Sequence, residues 1–234
     1  MGNLMNIIIV LSLLISGCGD SNEVILKKAD KAYSSKDYAT AATLYSKLAK
    51  NGNAKAQAKL GVLYAMGWGV EKNGKEAVSW YAKAAEQGEV DALNNVANAY
   101  KYGRAGAPMD YAEAIKWYEK CVAHSACYYE FGDMYEMGLG MQEDQVEAAR
   151  LYKLGATHIE NPKSTGEITE KEQSEIRLAR MYANGWGVQK DCGEAVRLMT
   201  LAANRHPYGS NSNIARRKLE ESSCPGQSNN EHQW

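Results

Sequence analysis

Small and apolar residues recur along the chain at helical spacing, in blocks separated by clusters of glycine. Over residues 54–88, Leu60, Gly61 and Tyr64 share one helical face, and Ala77, Trp80, Tyr81, Ala84 and Ala85 do the same further on. Between these blocks runs Gly67-Trp68-Gly69-Val70-Glu71-Lys72-Asn73-Gly74, whose three glycines supply positive φ and end the first helix. The unit is therefore helix, glycine loop, helix, and Gly88 ends the second helix. Gly67-Trp68-Gly69-Val70 returns as Gly185-Trp186-Gly187-Val188, with weaker copies at Gly103 and at Gly138-Leu139-Gly140. A tyrosine stands three residues before each copy: Tyr64, Tyr100, Tyr135 and Tyr182. They lie 36, 35 and 47 residues apart, and a period in the thirties predicts a solenoid of helix pairs.

The other units follow residue by residue. The second carries Val96, Ala97, Tyr100, Gly103, Ala114, Trp117 and Tyr118, with a loop one residue longer. The third carries Phe131, Gly132, Tyr135, Gly138, Ala148, Leu151 and Tyr152, and the fourth Leu178, Ala179, Tyr182, Gly185, Ala195, Leu198 and Met199. The segment AKLGVLYAMGWGVEKNGKEAVSWYAKAAEQG resembles the Sel-one-like repeat, a relative of the tetratricopeptide repeat with a longer loop. Upstream, Ala29, Ala32, Tyr38, Ala41 and Tyr45 resemble an ordinary tetratricopeptide unit with the short turn Ser34-Ser35-Lys36-Asp37.

The resemblance implies an all-α, right-handed helix-pair solenoid. It divides the chain into a tetratricopeptide-like unit at 22–53 and Sel-one-like repeats at 54–90, 91–125, 126–158 and 175–206. The region 207–234 would form a polar capping helix and tail, with Ser212 as an N-cap. Residues 159–174, with Pro162, Gly166 and several charges, read as an inserted loop, either solvated or touching a partner.

The first seventeen residues contain no Asp, Glu, Lys or Arg, and the run Ile7 to Ile15 is apolar except for Ser12. It is too short to span a bilayer and reads as a secretion signal at 1–17. Ile15-Ser16-Gly17-Cys18 resembles a bacterial lipobox, which implies lipidation of Cys18, a linker at 18–21 and an outer-membrane lipoprotein facing the periplasm. The alternative is an ordinary signal peptide with a chance cysteine. Cleavage leaves 234 − 17 = 217 residues, and the net charge of −1 argues against nucleic acid.

Four further cysteines fall at helix ends. Cys121 and Cys127 flank a reversal between helices, so their Cα atoms can reach disulfide distance. Cys192 starts one helix and Cys224 follows the terminal one, and an antiparallel arrangement would bring them together. An exported compartment is oxidising, so both pairs are expected to form. Cys121, His124 and Cys127 offer three metal ligands but no fourth, so no metal is expected. Cysteines at repeat junctions also resemble the Helicobacter cysteine-rich proteins. The β-lactamase activity attached to that family transfers weakly, because no Ser-x-x-Lys motif stands at a usable nucleophile position. Gly69 to Lys75 mimics a phosphate-binding loop, but Glu76 replaces the required Ser or Thr and the segment follows a helix. His124, His158, His206 and His232 are scattered. No catalytic residue and no cofactor is expected.

In tetratricopeptide-like solenoids the first helix of each pair lines the concave face. If Leu60 and Tyr64 point to the core, positions 62, 65 and 66 face the groove. One row is then Val62, Asn98, Asp133 and Arg180, a second Met66, Tyr102, Met137 and Asn184, and a third Ala58, Asn94, Tyr129 and Ile176. Tyr102, Asp133 and Arg180 are expected to be solvent-facing. Met66 and Met137 would either serve the interface or pack on the next unit. The expected partner is another protein, with the membrane reached through the lipid anchor only. The resemblance implies either immunity to a secreted phospholipase effector of the type VI system or a scaffold in an envelope assembly such as an exopolysaccharide or motility complex.

Overall fold

In a computed structural model the described residues are 21–104, 106–124, 126–158, 165–205 and Cys224. They form ten helices and no strand. The expected signal, Cys18 and the rest of the linker apart from Ser21, residues 159–164 of the expected loop, and the expected cap and tail apart from Cys224 lie outside them. The chain divides into two compact units, Met1–Gln87 and Gly88–Trp234.

The first unit holds α1 (Asn22–Ser34), α2 (Tyr38–Lys50), α3 (Ala54–Met66) and α4 (Gly74–Ala85). Each opens on a polar cap whose side chain accepts an amide of the first turn: Ser21 from Val24, Asp37 from Thr40, Asn53 from Ala56 and Asn73 from Glu76. Alanines let the helices approach, and Tyr45, Leu48, Leu60 and Leu63 fill the centre. Tyr45 donates its hydroxyl to Asp30 at 2.6 Å, so a buried ring keeps its polar end satisfied. Tyr38 stacks on Trp68 of the glycine loop, with ring centroids 4.7 Å apart. Beside it Gly69, at φ 70°, lies so close to the backbone of Tyr38 that a Cβ would fall 2.2 Å from its carbonyl oxygen.

The second unit holds α5 (Val90–Tyr102), α6 (Tyr111–Ala123), α7 (Tyr128–Met137), α8 (Gln145–His158), α9 (Thr165–Asn184) and α10 (Cys192–Arg205). They pack as the pairs α5/α6, α7/α8 and α9/α10, with α9 also lying along α8 and touching α7. Tyr152, Ile176, Leu178, Met181, Leu198 and Met199 make the core of its last two pairs.

One device repeats in both units. The residue that caps each second helix sends its own amide back to the carbonyl of the repeat tyrosine: Asn73 to Tyr64, Asp110 to Tyr100, Asp144 to Tyr135 and Asp191 to Tyr182, at 2.9–3.0 Å. The same residue's side chain accepts from the helix it opens. The loop is thereby closed at both ends, which explains why its length is nearly constant.

Two disulfides are present, Cys121–Cys127 with Cα atoms 5.8 Å apart and Cys192–Cys224 at 5.3 Å. The stretch 159–174 departs from the expected loop, because α9 is already helical at Thr165 and runs for 20 residues. Its early turns are buried through polar side chains, Glu170, Glu172, Ser174 and Glu175, where apolar periodicity gives no signal. The Glu170 carboxylate accepts the amide of Tyr129 at 2.9 Å and so caps α7 from another helix. Gly155 makes room for this approach, since a Cβ there would meet Ser174 Oγ at 2.1 Å.

Candidate protein-binding face

Within the second unit the first helices α5, α7 and α9 share one face, joined by side chains that run from helix to helix. Asn98 donates to Asn94 at 2.6 Å and accepts from the Tyr118 hydroxyl at 2.9 Å. Asn94 reaches Glu130 Oε1 at 3.5 Å, at the limit of a hydrogen bond. Lys101, nearly fully buried, donates to the Glu130 carbonyl at 3.1 Å. Burial pushes its ammonium below the ordinary lysine range, against the pull of Asp133 and Glu130.

Asp133 and Glu136 together accept the Tyr152 hydroxyl, at 2.8 and 2.7 Å. Desolvation and these two carboxylates raise the Tyr152 phenol far above its usual value, so it stays a donor. Arg177 forks onto Asp133, with Nη2 to Oδ2 at 2.8 Å and Nε to Oδ1, and its guanidinium lies 5.5 Å from the Tyr129 ring. Burial opposes the Arg177 charge, but the Asp133 bonds outweigh it and hold the group above its ordinary range. Arg180 pairs with Glu136 and lies 5.8 Å over Trp186.

Of the expected binding residues, Asn94, Asn98, Tyr102, Tyr129, Asp133, Met137, Arg180 and Asn184 fall in this unit, while Val62 and Met66 belong to the first unit. Tyr102, Met137 and Met66 are 46%, 55% and 54% exposed, and Asn184 is exposed. Arg104 lies 4.5 Å over the Tyr102 ring. Two expectations are corrected. Ala58 and Ile176 are buried rather than facing a groove, because neighbouring helices close over that row. Asp133 and Arg180 are not free solvent-facing groups. Both are half-buried and already engaged, Asp133 by Arg177 and Tyr152 and Arg180 by Glu136.

Sequence reasoning missed Lys101, Glu130, Glu136, Glu170 and Arg177. A faint signal existed. Lys101 and Glu136 occupy the register filled by Ala65 and Ala183 in other units, and charge at a normally small position marks a polar network. Glu170 gave no signal, because it lies outside the repeat register. Among the described residues no cluster of His, Cys, Asp and Glu could hold a metal ion. No helix of these residues is long and apolar enough to cross a membrane.

The Sel1 repeat model matches residues 32–53, 54–89, 90–120, 125–158 and 173–206. The first match covers residues 32–53 of the 22–53 region expected to be an ordinary tetratricopeptide unit. A Sel1-like repeat-containing protein of Schizosaccharomyces pombe is 34% identical over 80 residues, 33% of this chain and 12% of its own length. Protein sel-1 homolog 2 of Homo sapiens is 31% identical over 88 residues, 37% of this chain and 13% of its own. The chain thus aligns with only about an eighth of these relatives. Among solved structures, a Sel1 repeat protein from Oxalobacter formigenes superposes with TM-score 0.70 and 27% identity, over 86% of this chain and 76% of the other. The protective antigen c5321 of uropathogenic Escherichia coli, which displays the same repeat fold, gives 0.65 and 28% over 79% and 41%. The helix pairs, the glycine loops and these matches agree that the chain is a repeat solenoid of the protein-interaction type and belongs to the Sel1 repeat family.

Proposed function

We propose that the chain is a non-catalytic, protein-binding lipoprotein of the bacterial envelope, facing the periplasm, and that its partner is a secreted phospholipase-type effector that it neutralises. The observation that carries the binding reading is the face of α5, α7 and α9. Its buried ion pairs fix the helices, while Tyr102 and Met137 stand exposed beside them. A rigid platform with projecting aromatic and thioether side chains suits an interface, because little conformational entropy is lost on docking. The apolar run ending in Cys18 supports the envelope address, and the two disulfides suit an oxidising compartment. A scaffold in an envelope assembly is the second reading, supported by the same face.

The test is site-specific photocrosslinking in envelopes, with the probe at Tyr102 or Met137 and, as control, at the exposed Val146 on α8. Capture of a phospholipase from Tyr102 and Met137 but not Val146, with loss of its toxicity when the two are co-expressed in the periplasm, is the expected result. Capture of a component of a polysaccharide or motility complex would replace immunity with scaffolding. Capture from Val146 alone would move the site to the opposite helices.

A further inference from the structure

We propose that Glu130 and Glu170 share a single proton and form a pH-set clasp that holds the first turns of α9 against α7. Both carboxyl groups are more than nine-tenths buried, and they are in direct contact. Two carboxylates cannot bond each other unless one is protonated. Glu130 Oε2 is enclosed and has no aligned donor among the described residues, and the Glu170 carboxyl and the Tyr129 hydroxyl are the groups beside it. Glu170 is fixed on its other side by the Tyr129 amide at 2.9 Å, so the two groups cannot simply turn apart.

The groups around the pair come from several helices. From α5 come Lys101, with Asn94 and Tyr102; from α6, Tyr118; from α7, Tyr129, Asp133 and Glu136; from α9, Gln173, Arg177 and Arg180. From α8, Tyr152 bonds Asp133, and His158 meets the Tyr128 ring. On α9 itself Lys171 and the buried Glu172 and Glu175 also lie within five residues of Glu170. Loss of the shared proton would place a second negative charge beside the first in a buried site.

Burial and the Glu130 charge push the Glu170 carboxyl up to about 9, and burial raises Glu130 as well. A carboxyl raised on folding takes up a proton on folding. Its stabilisation is complete below the unfolded value of 4.5 and is lost as pH rises toward about 9. In that window one bound proton changes the folding equilibrium about tenfold per pH unit. The clasp does not depend on what binds the face, although it sets where α9 lies on that face.

The test uses the full, disulfide-intact chain labelled with carbon-13 at the glutamate carboxyls, titrated by NMR alongside Glu170→Gln and Glu130→Gln. Either amide supplies a permanent N–H donor and keeps an acceptor oxygen. One glutamate titration above pH 6.5 in the wild type, absent from both variants, is expected. Urea unfolding between pH 6 and 8 should then show wild-type stability falling about tenfold per pH unit relative to Glu170→Gln. Wild-type glutamates that all titrate below pH 6 would overturn the proposal, as would parallel unfolding profiles. If one variant does not fold, the wild-type titration and the other variant still decide.

Discussion

At the scale of single residues, the polar face shows how burial changes the meaning of a charged side chain. Asp133 is only 13% exposed at its side chain and satisfies two partners at once, the Arg177 fork and the Tyr152 hydroxyl. Asp133→Ala should therefore destabilise the protein by about 2 kcal/mol, because it leaves a half-buried guanidinium with Gln173 alone and the phenol with only Glu136. Tyr102→Ala removes an exposed ring that fills no core space and should change stability by less than about 0.5 kcal/mol. Urea denaturation of both variants checks the contrast, and equal losses would mean that the Asp133 network contributes nothing beyond ordinary surface packing. The two residues were indistinguishable in the sequence, since both sit on the outward register of a first helix. The positions of Tyr152 and Arg177, 19 and 44 residues on, separate them.

At the scale of elements, the glycine loop is held by contacts as well as by its own backbone. Gly69 combines a left-handed φ of 70° with a close approach to the start of α2, and the atoms it would strike are backbone, which cannot swing aside. Gly69→Ala should cost about 3 kcal/mol, combining the backbone penalty with overpacking. Thermal unfolding measures it, and a loss under about 1 kcal/mol would show that the loop can shift from α2 freely. The sequence announced this loop through its repetition of Gly-Trp-Gly-Val. It gave no such notice of the early turns of α9. There a Pro- and Gly-containing, charge-rich stretch reads as loop by composition, yet from Thr165 onward it is helical. Its burial is polar, through Glu170 capping α7 and Ser174 fitting over Gly155, and neither leaves a 3.6-residue apolar stripe.

At the scale of the whole molecule, two cross-links and one proposed anchor are open to measurement. Cys192–Cys224 spans 32 residues and Cys121–Cys127 spans 6, so the chain-entropy model assigns them about 3.7 and 2.2 kcal/mol. Replacing both members of the longer bridge by alanine should lower stability by about 1.5 kcal/mol more than replacing the shorter pair, and denaturant titration under oxidising conditions would show the reverse order if the chain-entropy account is wrong here. Cys18→Ser should move the protein from the membrane fraction to the soluble periplasm or leave it unprocessed. Unchanged fractionation together with unchanged palmitate labelling would remove the anchor and with it the proposed envelope address.

The sequence by itself determined the all-helical repeat, because a helix-pair unit writes its core into local spacing: Tyr64, Tyr100, Tyr135 and Tyr182 recur where each pair closes, and the loop glycines recur three residues later. It also paired Cys121 with Cys127 and Cys192 with Cys224, the two bridges that the structure holds. The tertiary structure alone decided which outward-register residues are free and which are bonded. It decided, too, that a composition typical of loops continues α9 across α7. Those outcomes depend on pairings between helices many residues apart, such as Arg177 with Asp133 and Glu170 with the Tyr129 amide. A hydrogen bond or ion pair is satisfied by distance and direction in space, and local sequence spacing carries neither.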